Sequence, residues 1–289
     1  IAPPIMGAAA FVMAEIVGVP YSDIIRAALL PAILFYVSVF VTVHLVSVKR
    51  KLALVPEDEL PAWSRILAPR HVGPVVAALL GLGVGFALGR SVATSAFYGI
   101  ASLLVVFVAT QAGRLGVPEM AKRILAGIED TGRGLVIIGI LLAGAQVLVS
   151  MVNLTGAGVA LSSAIVSLGG DSAPMVAIMV GLVCLVMGMG LPTTAAYVLV
   201  AAVLAPALTE VGFPVLSAHL FVFYFATISV ITPPVCVAVF VASGIAKSNW
   251  MPTAIEAVRL GAMTYIVPFL LLVYPGLLLE GGAIAIMDA

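Results

Sequence analysis

A long apolar run of this sequence is interrupted by Gly188-Met189-Gly190-Leu191-Pro192-Thr193-Thr194, and a second run is interrupted by Thr232-Pro233-Pro234-Val235. Glycine leaves the backbone accessible, and proline removes an amide donor and clashes with the preceding helical turn. In hydrocarbon an unpaired peptide group is costly, so a broken helix persists only where protein or a polar cavity covers the break. Two breaks this close in sequence predict a binding site at membrane depth.

The composition is that of a helical membrane protein. Of 289 residues, 63% are hydrophobic and 9% are charged, whereas about 25% of the residues of a typical soluble domain are charged. Several uncharged runs reach the roughly 20 residues that a helix needs to cross a bilayer. The formal net charge is zero, which gives no reason to expect nucleic acid as a partner. We therefore predict an all-α, polytopic membrane protein.

Polar segments and helix breaks divide the chain into three parts. Residues 1–50 begin inside an apolar run and close at the basic cluster Lys49-Arg50-Lys51, and we interpret them as the end of a first repeat whose start is missing. Residues 51–132 are a connector with two spans and an amphipathic interfacial helix from Arg114. Residues 133–289 are a second repeat that contains a span, a re-entrant hairpin and a discontinuous helix.

A weak internal repeat links the first and third parts. A shift of 230 residues places Pro3-Pro4-Ile5 on Pro233-Pro234-Val235, and a further three-residue gap places Asp23–Arg26 on Glu256–Arg259. When the crossings are counted with the hairpin entering and leaving on the outer side, the two repeats run in opposite directions. This inversion requires that residues 157–168 lie along the outer interface and do not cross the membrane.

The resulting topology agrees with the positive-inside rule. Eleven of the thirteen basic residues fall on the cytoplasmic side: Lys49, Arg50, Lys51, Arg65, Arg70, Arg114, Lys122, Arg123, Arg133, Lys247 and Arg259. Inverted repeats with discontinuous helices are a design of secondary transporters. Half-helix amino termini attract carboxylates, and unwound carbonyls with threonine hydroxyls suit a small hard cation such as sodium. The residues alone therefore predict an ion-coupled carrier for a small, anionic solute.

Five motifs distributed over nearly the whole chain have the pattern of a known family. They are Pro3–Glu15, Asn153–Gly156, Gly188–Tyr197, Ala218–Tyr224 and Ile231–Val235. In these motifs the sequence resembles the large permease subunit of tripartite ATP-independent periplasmic (TRAP) transporters, and it is most similar to the fused permeases of the TAXI subclass.

The resemblance implies a sodium-driven importer of small organic acids, of the elevator type, in the inner membrane of a bacterium or archaeon. It also implies a periplasmic binding protein that delivers the substrate, and a small membrane subunit or fused domain. In that family two hairpin tips and two broken helices form the transport site. This sequence has one tip and both breaks, so one of two implied cation sites is expected to be incomplete.

The predicted substrate and ion site combines the tip with both breaks. Thr193, Thr194 and Thr232 have hydroxyls suited to bind sodium together with nearby backbone carbonyls. The alternative for each is a hydrogen bond back to a helix carbonyl. The other predicted site residues shape the site or offer backbone oxygens: Gly188, Met189, Gly190, Pro192, Pro233, Pro234, Pro3, Pro4 and Gly7. Sodium is the only cofactor expected, and no catalytic residue is predicted.

Several residues near the breaks have a simpler interpretation. Cys184 and Cys236 are expected to be small buried residues, and Tyr197 and Tyr224 either line the cavity or pack as aromatic core. Two other functions are considered: a dicarboxylate/sodium carrier that works without a binding protein, and a membrane-embedded enzyme. The enzyme is disfavoured because no Ser-His-Asp, paired-carboxylate or metal-ligand grouping occurs at membrane depth.

Overall fold

The regular elements of the described part of the chain are helices. The computed structural model describes residue 3 and residues 6–52, 56, 60, 62–111, 115–170 and 172–279. In chain order the α-helices are α1 (Ala8–Val17), α2 (Tyr21–Arg50), α3 (Trp63–Ile66), α4 (Pro69–Ala87), α5 (Val92–Gln111), α6 (Val117–Thr155), α7 (Ala157–Gly169), α8 (Ala173–Gly188), α9 (Thr193–Glu210), α10 (Val215–Ile228), α11 (Val237–Ala246), α12 (Trp250–Leu260) and α13 (Ala262–Val273). A 3-10 turn follows at Pro275–Leu278. The all-α prediction is confirmed.

The described residues form two compact units. The larger unit combines the residues up to Arg50 with those from Gly139 onward, and the smaller unit runs from Lys51 to Ile138. Among the described residues, four segments are long and apolar enough to cross a membrane: α2, α5, α9 and the α12–α13 pair. Over the most apolar stretch of each helix, 61% of the α9 residues are buried, whereas 11% are buried in α2 and in α5. Helix α9 is therefore surrounded by protein, while α2 and α5 leave most of their apolar surface exposed.

One continuous helix replaces two predicted elements. The sequence predicts an interfacial helix from Arg114 to Arg133 and a separate span from Gly134, but α6 runs without interruption from Val117 to Thr155. The junction contains glycine but no proline, so every residue keeps its amide donor and the helix continues. Arg114 lies outside the described residues. At Gly156, with a left-handed φ of 67°, the chain turns by 67° into α7.

In the smaller unit, glycines allow α4 and α5 to pack backbone to backbone. A β-carbon on Gly81 would lie 2.5 Å from the Tyr98 carbonyl oxygen, and one on Gly85 would lie 2.5 Å from the Ser95 Cα. Small residues four apart let membrane helices approach this closely. The Ser102 hydroxyl donates a 2.7 Å hydrogen bond to the Ala77 carbonyl across the same interface.

Substituting Gly85 by valine is expected to separate α4 from α5, because the new side chain meets backbone that cannot rotate away. Overpacking of this kind costs about 1–3 kcal/mol, so the thermal unfolding midpoint in detergent falls by several degrees. Gly83→Val is the matched control, since a β-carbon there meets no atom within 4 Å. Equal midpoints for the two variants would contradict the packing described.

The two predicted repeats share an order of helices in the larger unit. After Pro3 comes α1, a helix of 10 residues, and then the long α2. After Pro233 comes α11, also of 10 residues, and then α12 and α13. Each short helix ends in a left-handed residue, Gly18 in the first case and Lys247 in the second. This shared order agrees with the weak sequence repeat.

The equivalent long helices of the two repeats run antiparallel. At the start of α2, Asp23 and Arg26 line a cavity of about 640 Å³ together with Leu278 and Leu279, which follow α13. At the far end of α2, the Arg50 guanidinium donates a hydrogen bond to Glu256 of α12. Helix α2 therefore runs away from the cavity while α12–α13 runs toward it. An inverted repeat requires this opposite direction.

Candidate transport site

The hairpin tip lies between the end of α8 and the start of α9. Helix α8 stops at Gly188, and α9 begins at Thr193 after Pro192. Between them Gly190 has a left-handed φ of 75°, a conformation that costs other residues about 1–2 kcal/mol. The only backbone hydrogen bond that closes the turn runs from the Leu191 amide to the Gly188 carbonyl, at 3.3 Å, among the residues that the structure describes.

The second break separates α10 from α11. The last turn of α10 tightens, with the Ile231 amide donating to Ile228 and the Thr232 amide donating to Ser229. Pro233 and Pro234 supply no amide donors, and the peptide bond between them is cis. Helix α11 then starts at Val237, and the Ala238 amide reaches back across the break to the Val230 carbonyl, at 3.2 Å. The predicted discontinuous helix is present.

The tip and the second break are in contact. A β-carbon on Gly190 would lie 3.3 Å from Val235 Cγ1. Two residues earlier, a β-carbon on Gly188 would lie 2.7 Å from the Ser229 hydroxyl and 3.5 Å from the Ala226 Cα. The absence of side chains at both glycines therefore sets how closely the tip approaches the end of α10.

Both unwound segments have unpaired backbone oxygens. Within the described part of the chain, no hydrogen bond reaches the carbonyls of Met189, Gly190 and Leu191 at the tip, or those of residues 231–234 at the break. The first amides of α9, at Thr193, Thr194 and Ala195, are likewise unpaired among those residues. The site thus brings together acceptors suited to a cation and a helix amino terminus suited to an anion.

The three threonine hydroxyls predicted as ligands differ in their hydrogen bonding. The Thr232 hydroxyl is 2.8 Å from the Ile228 carbonyl and 2.7 Å from the Tyr265 hydroxyl. The first of these contacts is the hydrogen bond to a helix carbonyl that is the alternative to ion binding. Thr193 and Thr194 are both half-buried, and their hydroxyls make no hydrogen bond to any described residue. Every other threonine hydroxyl of the chain is hydrogen bonded. Thr193 and Thr194 begin α9, where no preceding helical turn offers a carbonyl.

The first break contributes less to this geometry. Pro3 lies in a turn and is partly buried, and Pro4 lies outside the described residues. Gly7, with a φ of 76°, precedes α1, which packs on α9 and α10. A β-carbon on Gly7 would meet no atom within 4 Å, in contrast to Gly188 and Gly190. The participation of these three residues in the site stays a prediction.

The two tyrosines near the tip are core residues. Tyr197 and Tyr224 are fully buried, and each ring packs on Phe223. The Tyr197 hydroxyl is 2.9 Å from His219 Nδ1. The interpretation as aromatic core is therefore the correct one. Cys184 and Cys236 are buried and free, as expected.

Sequence reasoning missed Tyr265 and Ser229. Tyr265 lies in α13 and bonds Thr232 across 33 positions of sequence. Ser229 is fully buried at the end of α10 and faces Gly188. Neither belongs to a glycine or proline motif, so no local signal marks them.

The arrangement of a tip against a broken helix can be compared with known families. The profile of the family described as tripartite ATP-independent periplasmic transporter, DctM component, matches residues 1–284 of the 289. The chain belongs to this family. The predicted resemblance is thus confirmed at the level of the DctM component, while the TAXI subclass stays a prediction. No individual curated protein matches the chain. As a DctM-family protein it is a membrane-embedded permease component of a transporter.

Proposed function

We propose that this DctM-family permease imports small organic acids together with sodium, and that residues 188–194 and 231–236 form the substrate and ion site. The observation that carries the proposal is the contact between Gly190 and Val235. It joins two segments whose carbonyls make no hydrogen bond among the described residues, and the tip leads directly into Thr193 and Thr194, whose hydroxyls have no partner among those residues. In hydrocarbon such groups need partners. A bound cation supplies them.

The same site offers complementary groups to a carboxylate. The unpaired amides of Thr193, Thr194 and Ala195 stand at the positive end of the 18-residue helix α9. Oxygens for the cation and amides for the anion are therefore adjacent. A sodium ion close to the carboxylate lowers the electrostatic cost of placing either charge inside the membrane, and this mutual dependence is the physical basis of coupled transport.

The partners follow from the family. We propose an inner-membrane location, a periplasmic binding protein that delivers the substrate, and a small membrane subunit or fused domain. Alternating access of the elevator type requires the tip and the broken helix to move together. Their residence in one compact unit supports this mechanism.

Uptake into proteoliposomes tests the proposal. The intact transporter is reconstituted with its small subunit and binding protein, and radiolabelled succinate, glutamate and pyruvate serve as probes of the carboxylate class. We expect accumulation of at least one probe under an inward sodium gradient and none when choline replaces sodium. Equal accumulation without the gradient would refute sodium coupling. Full accumulation without the binding protein would favour the dicarboxylate/sodium carrier.

A further inference from the structure

Tyr265 makes a hydrogen bond from α13 to the second break. Its hydroxyl is 2.7 Å from Thr232 Oγ1, which is also 2.8 Å from the Ile228 carbonyl. Thr232 has one hydroxyl hydrogen, and the Ile228 carbonyl can only accept. The hydrogen between the two hydroxyls therefore comes from Tyr265. This order leaves Thr232 Oγ1 one lone pair for a further partner.

Two other contacts hold α12 and α13 against the same break. A β-carbon on Gly261, at the junction of α12 and α13, would lie 3.0 Å from Ile231 Cδ1. Beyond the prolines, Cys236 and Val239 form a buried cluster with Ala254 of α12. Apolar contacts thus lie before and after the prolines of the break. The Tyr265 hydroxyl adds the directional contact, because a hydrogen bond fixes the rotation of a hydroxyl where apolar packing does not.

The carbonyls at residues 231–234 make no hydrogen bond among the described residues, so backbone pairing does not set their direction. We propose that Tyr265 is a positioning residue of the ion site, which acts through Thr232 by fixing its hydroxyl and the carbonyls that follow it. This inference rests on the proposed function, since it assumes that sodium binds between the tip and the break. Tyr265 itself need not touch the ion.

Sodium binding to the intact purified transporter tests the role of Tyr265. The probe is sodium chloride alone, titrated at constant ionic strength against choline chloride, and the readout is the thermal unfolding midpoint. For Tyr265→Phe we expect the sodium concentration that gives half of the stabilisation to rise about three- to tenfold, which is the worth of one hydrogen bond. The midpoint in choline should stay near that of the wild type, because the ring and its packing remain.

Matched variants separate positioning from a merely structural role. Tyr36→Phe makes the same chemical change on an exposed face of α2 and should leave the sodium titration unchanged. Thr232→Val removes the same hydrogen bond from the other side, so it should shift the titration at least as far, and adding Tyr265→Phe to it should have no further effect. If Tyr265→Phe fails to fold, an unchanged sodium titration in Thr232→Val still refutes the positioning role, because that role acts through the Thr232 hydroxyl.

The outcomes distinguish this inference from the proposed function. If sodium stabilises the wild type no more than choline does, sodium binding itself is refuted. If sodium stabilises the wild type and Tyr265→Phe titrates identically, only the positioning role is refuted. A lower midpoint in choline with an unchanged sodium titration would also refute it, because Tyr265 would then serve the fold alone. Additive effects of Tyr265→Phe and Thr232→Val would show that Tyr265 does not act through Thr232.

Discussion

Replacing Thr193 and Thr194 together by valine is expected to raise the sodium concentration needed for half-maximal transport about ten- to a hundredfold. The estimate takes the worth of a hydrogen bond to a charged group as a guide to a hydroxyl ligand. Neither hydroxyl has another partner among the described residues, so their loss removes no bond from the fold. Valine has the shape of threonine, and the unfolding midpoint without sodium should therefore not fall.

The measurement is initial uptake against sodium concentration in proteoliposomes, with the unfolding midpoint recorded for each preparation. Thr209→Val is the matched control, since Thr209 lies near the far end of α9 and bonds the Pro206 carbonyl. It should leave the sodium dependence unchanged. An unaltered sodium dependence in the double variant would exclude both hydroxyls from the site and leave only backbone oxygens as ligands there.

Thr232 is expected to differ from these two residues although all three were predicted as ligands on the same grounds. A sequence shows that Thr232 precedes two prolines, but it does not show that Tyr265 lies 2.7 Å away. That contact depends on how α13 packs against α10, which many side chains decide jointly. Residue type and position beside a break therefore predict which hydroxyls are suited to bind an ion, whereas tertiary packing decides which of them are already hydrogen bonded.

The breaks themselves were predictable because their causes are local. Gly190 at a left-handed φ and Pro192 at the start of α9 act on their own backbone, so the tip appears where the residues place it. The predicted boundary within α6, by contrast, rests on a pattern that does not act on the backbone. Charges within residues 119–133 gave an interfacial pattern, but amphipathicity sets which face of a helix meets water and does not end the helix.

The predicted inverted repeat depends partly on local motifs and partly on tertiary packing. Few residues match between Pro3–Arg26 and the stretch after Pro233, because apolar side chains that face lipid are interchangeable. The opposite directions of the long helices are visible in contacts between residues distant in sequence, of which Arg50 with Glu256 is one. A break, a turn and a charged helix start in a fixed order predict the repeat, which stays a prediction, whereas no local pattern marks side-chain pairs such as Arg50 with Glu256.

Replacing Gly188 by valine is expected to abolish transport while the protein still inserts and folds. The new β-carbon would lie 2.7 Å from the Ser229 hydroxyl and 3.1 Å from its β-carbon. Ser229 is fully buried and donates a 2.7 Å hydrogen bond to the Ala226 carbonyl, so it has little room to rotate. The tip must then separate from the break, at a cost of about 1–3 kcal/mol. The ligand groups of the two segments would no longer face one site.

Uptake and the sodium-dependent unfolding midpoint are measured for Gly188→Ala and Gly188→Val, with Gly144→Val as the control. Gly144 lies in α6, and a β-carbon there meets no atom within 4 Å, so that variant should transport normally. Ser229→Gly removes the side chain that Gly188→Ala would meet, and we expect the pair to recover much of the uptake that Gly188→Ala loses. Recovery in the pair, with a loss in Gly188→Ala alone, is the result that a contact between tip and break requires. If Ser229→Gly and Gly188→Ala impair uptake independently, the two segments do not act as one site.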